Sequence, residues 1–385
     1  MAQTAPLKGK IAGARPSSLT PLGQGRSSSF MVEPDVVEAR IRAGMLEPGS
    51  VAALIDAGVG EHLQARGIAH DGFCIAHNNA LHRINIREAT GCAVTVYGQT
   101  EVTRDLMNLR TRASDQVLFE VEALAIDAND AAGVRVSFIH EGQSRTLACD
   151  YIAGCDGAHG VSRETIPPDQ VRTFEFSAPA QWLGLMADVP PVHEELIYAS
   201  HPRGFALCSM RSHSRSRYYL QVGEHEDANA WSADQFWEEL NQRLPMDVAP
   251  GLQTGAALEM STTPLRSVVI EPMQYGRLYL AGDAAHTVPP TGAKGLNLAI
   301  ADVRLLAERL IEACRTGSDS ALGTYAEDAL ARVWQAVRFS WQMTRLLHTV
   351  ETDPASDRLR QLDLEHLLAA PEARTLIARN YAGVF

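Results

Sequence analysis

The sequence predicts an α/β fold in which a mixed β-sheet is inserted into a strand-and-helix domain and a helical region closes the chain. Three observations predict it. Residues 280–303, LAGDAAHTVPPTGAKGLNLAIADV, run from an apolar strand through a glycine- and proline-rich turn into a helix. Residues 176–270 are dominated by short strand patterns, WLGLMADV, ELIYA, FALCSM and RYYLQV. Residues 316–385, with YAEDALARVWQAVRFSWQMTRLLHTV near their start, read as mostly helical to the end.

In chain order, residues 1–175 mix strands such as AVTVYG and VRVSFIH with helical stretches such as the one after Val102, and form most of a first domain. Residues 176–270 form the inserted sheet, with helical QFWEELNQRL behind it. Residues 271–315 return to the first domain, and 316–385 form the helical region, whose Trp and Phe residues read as helix packing or subunit contact. Leu278, Tyr279 and Leu280 have the length and composition of a buried strand, while Leu296, Ile300, Val303, Leu306 and Leu310 recur at helical spacing. Asp283 is therefore expected where the sheet ends and the helix begins, at the ligand crevice of an open sheet. A helix start there offers free N–H groups to an anionic group, and the Asp283 carboxylate offers an acceptor to sugar-type hydroxyls.

Composition sets bounds. A chain of 385 residues has room for two or three domains with full cores, and 45% hydrophobic with 21% charged residues is ordinary for a globular enzyme. A formal net charge of −12 argues against nucleic acid or anionic membrane as a partner, while leaving room for a local basic pocket. No apolar run approaches the roughly 20 residues a membrane span needs, and the start does not read as a signal peptide. Cys74, Cys92, Cys149, Cys155, Cys208 and Cys314 form no CxxC pair, and the 13 histidines show no HExxH spacing. The expectation is a cytoplasmic protein with reduced thiols and no metal.

The wording of 280–303 resembles the second flavin-binding motif of the single-component FAD-dependent aromatic hydroxylases, and PPTGAKGLNLA is similar to the members that hydroxylate 4-hydroxybenzoate. Further landmarks follow in the family's order from Arg40 to Tyr381. The resemblance implies an FAD-binding Rossmann-like domain with an inserted mixed β-sheet substrate domain. ARIRAGMLEPG (39–49) resembles the stretch along the flavin, with Arg40, Ile41, Arg42, Ala43 and Gly44 at the cofactor. Gln99 in VYGQTEVTRDL, Asp156 in YIAGCDGAHGVSR, Arg217, Asp283, Leu296 and Asn297 are further cofactor contacts by resemblance. Arg42, His159, Arg163 and Arg266 match positions linked to the nicotinamide nucleotide, NADPH by family habit or NADH.

FALCSMRSHSRSRYYLQV (205–222) reads as two strands joined by a polar turn. Side chains two apart on a strand share a face, so Ser209 and Arg211 are expected to point the same way, and a guanidinium fork suits a carboxylate. An isolated Ser-x-Arg is also compatible with an exposed, solvated strand. By resemblance Ser209, Met210 and Arg211 contact the benzoate, and Tyr219 forms a nearby wall.

Hydroxylation beside a phenol needs the phenol ionised, because the phenolate pushes electrons toward the attacking carbon. With a phenol pKa near ~10, the site must remove the proton. Tyr198 matches the family residue that bonds the substrate phenol, Tyr381 the second tyrosine of a relay, and His70 the histidine that passes the proton to water. Pro290 matches the residue whose carbonyl faces the phenol. The implied reaction is reduction of FAD by NAD(P)H, formation of a flavin C4a-hydroperoxide with O2, and oxygen transfer giving 3,4-dihydroxybenzoate. The family is usually a homodimer.

The chain departs from the pattern in one place. A domain of this kind opens on a strand, GxGxxG, a helix and a second strand ending in an acid. Here KGKIAGARPSSLTPLGQGRSSSFMVEPDVVEARIRAG keeps Gly13, with Ser17 also in the loop, but places Arg15 and Ser18 where the later glycines belong. Glu33 is the candidate ribose acid. Three explanations stand: a divergent working loop, a reading-frame lesion confined to residues 14–32, or a natural loss of FAD binding. The abrupt Arg, Ser, Pro and Gly bias favours the second. Hydroxylation of another hydroxy- or aminobenzoate, and a non-catalytic aromatic-acid binder without cofactor, are the alternative functions. A plain NAD-dependent dehydrogenase is disfavoured by its broken fingerprint.

Overall fold

The structure, a computed structural model, describes residues 28–31, 44–112, 116–119, 121–128, 133–349 and 353–384. Its largest element is an eight-stranded mixed sheet built from β1 (Gly72–His77), β2 (Ala80–Asn85), β3 (Arg172–Ala187), β4 (Ile197–Ala199), β5 (Ala206–Ser212), β6 (Arg215–Gly223), β7 (Glu259–Glu271) and β8 (His286–Thr287). The order across the sheet is β8-β7-β3-β6-β5-β4-β1-β2. Only β4 and β1 run parallel, with Tyr198 opposite Ile75; the other neighbours are antiparallel. The sheet is thus wider than the 176–270 block, because it recruits a hairpin from before residue 86 and a short strand from after residue 285, and β3 runs across the 175/176 boundary.

Both faces are covered, and the period of two in the strands sorts them. On one face Cys74, Ile197, Cys208, Tyr218 and Leu220 pack under the helix Ala233–Arg243 through Phe236, Trp237 and Leu240. Ser232 starts that helix with a capping box to Gln235, which satisfies two end groups reciprocally. On the other face Ile75, Tyr198, Leu207 and Tyr219 pack against Phe339, Met343, Leu364 and Tyr381 of the C-terminal helices.

A second core joins the parallel strand pair Ile152–Gly154 and Leu278–Leu280 to an antiparallel ribbon, Glu122–Asp127, Val134–His140 and Gln143–Cys149. The strand Ser28–Met31 pairs in parallel with Gln116–Phe119. The helices that matter for the site are α1 (Pro48–Asp56), α2 (Gly295–Thr316), α3 (Tyr325–Leu347), α4 (Pro354–Ala369) and α5 (Pro371–Tyr381).

Two local expectations are corrected. The helix after Leu280 starts at Gly295 and not at Asp283. Between them lie a 3₁₀ turn at Gly282–Ala284, β8, and a second 3₁₀ turn at Pro290–Gly292. Pro289 and Pro290 lack amide hydrogens, and Gly282 sits at φ +62°, so this stretch does not propagate a helix. Val303 is 38% exposed, and the buried face of α2 runs through Leu298, Asp302, Leu306 and Ala313. Leu296 and Ile300 pack instead on a smaller cluster with Leu46, Leu54 and Tyr97.

Candidate active site

Two phenols meet inside the apolar layer between the sheet and the C-terminal helices. Alternation along β4 sends Ile197 and Ala199 to one face and Tyr198 to the other, where its hydroxyl lies 2.9 Å from that of Tyr381 at the end of α5. Both side chains are fully enclosed, with Phe73 packed against each ring. Burial pushes both phenols up, Tyr381 to about 12 and Tyr198 well above its usual value, so both hydroxyls stay protonated at neutral pH. A protonated pair of this kind can accept a proton at one end while donating at the other.

The backbone of Tyr381 is fixed from below. Lys294, itself buried, donates to the carbonyls of Asn380 (2.6 Å) and Tyr381 (3.0 Å) and pairs with Glu47 at 2.5 Å. Burial lowers the Lys294 pKa and the Glu47 carboxylate opposes that shift. His70 ends the strand Ile68–His70 and is buried with no hydrogen-bond partner on either ring nitrogen among the described residues. Burial lowers its pKa, which keeps the ring neutral and able to take a proton.

The two strands of 205–222 are joined through a bulge. Register runs Ser209 opposite Arg217 and Met210 opposite Ser216, then jumps to Ser212 opposite Arg215, so Arg211 is the extra residue of a bulge. Strict alternation therefore fails at Arg211, as bulges re-aim side chains. Its guanidinium lies over Gly44, where a Cβ would come within 3.1 Å of Nη1, and Nη1 donates to the Met210 carbonyl at 2.9 Å. Burial lowers the Arg211 pKa, with the Tyr219 hydroxyl partly offsetting this. Ser209 Oγ donates to the Arg217 carbonyl at 2.7 Å. Tyr198, Leu207 and Tyr219 face one another in register across three strands, and Met210 is buried in the same cluster. Arg217 makes a two-pronged pair with Glu259 at 3.3 and 3.2 Å and stacks over the Tyr219 ring. The Pro290 carbonyl accepts the Ala293 amide in its 3₁₀ turn.

The cofactor positions divide into two groups. Gly13, Ser17, Glu33, Arg40, Ile41, Arg42 and Ala43 lie outside the described residues. Of the others, Asp283 is exposed on its turn, and Lys294 stands at the N-cap of α2 with no side chain capping the helix. The Asn297 side chain donates to the carbonyls of Met45 (2.9 Å) and Ala293 (2.8 Å) and accepts from the Glu47 amide, so it staples the strand Met45–Leu46 to the helix start. Leu296 is half-buried, as is Gln99 at the start of the helix Gln99–Arg112. An exposed carboxylate and an uncapped helix start at the two ends of the 283–294 connection fit a group with sugar-type hydroxyls and an electron-rich ring edge.

Asp156 is buried and accepts the Ser162 amide at 2.8 Å, and burial raises its pKa. Arg163 donates to the carbonyls of Ala284 (2.9 Å) and Asp283 (2.8 Å), and burial lowers its pKa while the nearby Arg266 charge adds to the effect. Arg266 is exposed and paired with Glu175 at 2.6 Å, and His159 is exposed. Sequence reasoning missed Glu47, Lys294, His286 and Asp302. The one available signal was Asp302, an acid placed among the apolar residues of LNLAIADV.

A family model described as an FAD binding domain matches residues 29–340, beginning past most of the segment that departs from the glycine motif. The p-hydroxybenzoate hydroxylase of Acinetobacter baylyi is 49% identical over 353 residues, which is 91% of this chain and 87% of that protein. This chain belongs to the FAD-dependent aromatic hydroxylases. Solved structures agree in fold. The p-nitrophenol 4-monooxygenase PnpA from Pseudomonas putida DLL-E4 superposes with a TM-score of 0.74 at 18% identity, covering 94% of this chain and 92% of that one. PqsL of P. aeruginosa, solved with 2-aminobenzoylacetate, gives 0.73 at 19% identity over 87% of this chain and 92% of that one. Membership of this family carries flavin-dependent hydroxylation of an aromatic acid, with FAD and a nicotinamide cosubstrate. No helix among the described residues is long and apolar enough to cross a membrane.

Proposed function

We propose that this chain hydroxylates 4-hydroxybenzoate at the carbon beside the phenol, consuming one O2, one NADPH or NADH and one proton and giving 3,4-dihydroxybenzoate, water and the oxidised nicotinamide. The observation that carries the reading is the enclosed Tyr198–Tyr381 hydroxyl pair, a proton path at the position where the p-hydroxybenzoate hydroxylase resemblance puts the substrate phenol. FAD, when bound, supplies the redox and oxygen-transfer chemistry. Asp283 and the backbone at the α2 start would hold it, together with Gln99 and Gly44.

The chain's own residues do the rest. Arg211 holds the carboxylate with its fork, and Ser209 and Tyr219 line that end. Tyr198 receives the phenol proton and Tyr381 passes it on, because each hydroxyl is both donor and acceptor. His70, neutral and buried, accepts it and returns it to water. The Pro290 carbonyl faces the phenol oxygen and favours the protonated form until the relay removes the proton. His159, Arg163 and Arg266, with Arg42 of the undescribed segment, would serve the nicotinamide nucleotide, and Asp156 would contact FAD. In this reading the protein is a cytoplasmic homodimer.

Ligand ionisation tests the reading without turnover. On binding at a pH below the phenol's free pKa, 4-hydroxybenzoate is expected to show phenolate absorbance, and Tyr198→Phe to lose it while still binding. A bound ligand that stays a neutral phenol in the parent chain, or equal affinity for 4-aminobenzoate, contradicts the assignment.

A further inference from the structure

The turn that carries Asp283 is held by two buried side chains to which the motif reading gave no role. Asp302 lies on α2 and His286 on β8, 0% and 1% exposed. The His286 Nε2 and an Asp302 carboxylate oxygen are 2.6 Å apart, and that same oxygen accepts the Gly282 amide at 3.0 Å. One carboxylate oxygen thus gathers hydrogen bonds from the residue before Asp283 and from the third residue after it. Gly282 is at φ +62° with Ala299 of α2 packed close behind it, so the turn also depends on a residue without a side chain. The far side of the turn is gripped by Arg163 through the Asp283 and Ala284 carbonyls.

A carboxylate on the buried face of a helix is costly, and a leucine there would pack without that penalty. The bonds it makes lead to Gly282 in the turn and to His286 on the strand just after it, and the exposed group between them is Asp283. We propose that His286 and Asp302 are a positioning pair for flavin uptake. They fix the Gly282–Ala284 turn so that the Asp283 carboxylate is already set for the ribityl-type hydroxyls of FAD before the cofactor arrives. Pre-setting removes an ordering cost from binding. This inference rests on the flavin-hydroxylase reading.

The test uses the full chain stripped of flavin. FAD affinity is read from quenching of flavin fluorescence, and hydrogen exchange of the 281–287 amides is read without FAD. Asp302→Asn is expected to raise the FAD Kd about tenfold or more and to speed exchange in 281–287 without a matching rise in the sheet. His286→Gln, whose amide can still donate to Asp302, is expected to stay within about threefold of the parent, and His286→Leu is expected to behave like Asp302→Asn. An FAD Kd within about twofold of the parent in both Asp302→Asn and His286→Leu overturns the proposal. Exchange that rises evenly over the whole chain does so as well, because that is the mark of a merely structural role. If Asp302→Asn does not fold, the two His286 variants carry the comparison. If the parent chain takes up no FAD, the flavin reading itself fails, and unchanged exchange at 281–287 then rejects the pair's hold on the turn.

Discussion

The two regions we propose for substrate and for flavin are built on opposite plans. Around Tyr198 and Tyr381 the chemistry sits in side chains enclosed by Phe73, Leu207, Met210 and Tyr219, on strands whose pleat decides which way each points. Around Asp283 the chemistry sits largely in the backbone, in an uncapped helix start and a tight turn, and the side chains there act as braces. Asn297, Arg163, Asp302 and Lys294 each bond main-chain atoms. A side-chain site is sensitive to single substitutions of the groups that touch substrate. A backbone site is sensitive to its braces.

The largest expected effect that follows is on the relay. Tyr198→Phe removes a proton-transfer group and should slow hydroxylation about a hundredfold while leaving 4-hydroxybenzoate affinity nearly intact, read by single-turnover product formation. Equal rates in parent and variant would remove the hydroxyl pair from the mechanism. Next in size is Arg211→Ala, which removes a charge-assisted pair and should weaken 4-hydroxybenzoate binding by about 2–3 kcal/mol, measured by titration calorimetry. Unchanged affinity takes Arg211 out of the clamp.

Acid should act on the sheet side through His348. Its Nε2 accepts the Trp182 indole hydrogen at 2.6 Å and its Nδ1 donates to the Thr344 carbonyl, so the ring must be neutral. Burial lowers its pKa from 6.5 to about 3. The unfolded chain therefore takes up the proton first, so the contribution is complete above pH 6.5 and lost as pH falls toward 3. The loss should approach about 1.4 kcal/mol per pH unit from this one group. Denaturant midpoints measured across that window should fall with acid in the parent and more shallowly in His348→Gln. The smallest effect sharpens the clamp: Ser209→Ala should weaken the acid by only about 1 kcal/mol, because its hydroxyl hydrogen is already engaged by the Arg217 carbonyl. A loss as large as that of Arg211→Ala would show that Ser209 turns to the substrate on binding.

Much of the side-chain plan was legible in the sequence. The two strands of 205–222, the buried run Leu278–Leu280 and the C-terminal helices emerge where periodicity places them, because period reports which face of an element is buried. The resemblance also paired Tyr198 with Tyr381 across a separation that no local pattern reports. What stayed hidden was non-local or sub-periodic. The bulge at Arg211 is a register event between two strands, and the sequence SMRSHSR carries no mark of where it falls. The delayed start of α2 follows from two prolines and a positive-φ glycine whose joint path depends on β8 pairing with β7. The contacts of Lys294 with Glu47 and of Asp302 with His286 need the fold before either partner can be named.

Flavin uptake joined to substrate-stimulated turnover tests the account most directly. The purified chain is mixed with FAD, its visible spectrum recorded, and NADPH consumption followed with and without 4-hydroxybenzoate while product is separated by chromatography. The account predicts bound flavin, oxidation stimulated by 4-hydroxybenzoate, and 3,4-dihydroxybenzoate formed in step with NADPH used. A chain that binds the aromatic acid but takes up no flavin, or that oxidises NADPH without forming the catechol, contradicts it.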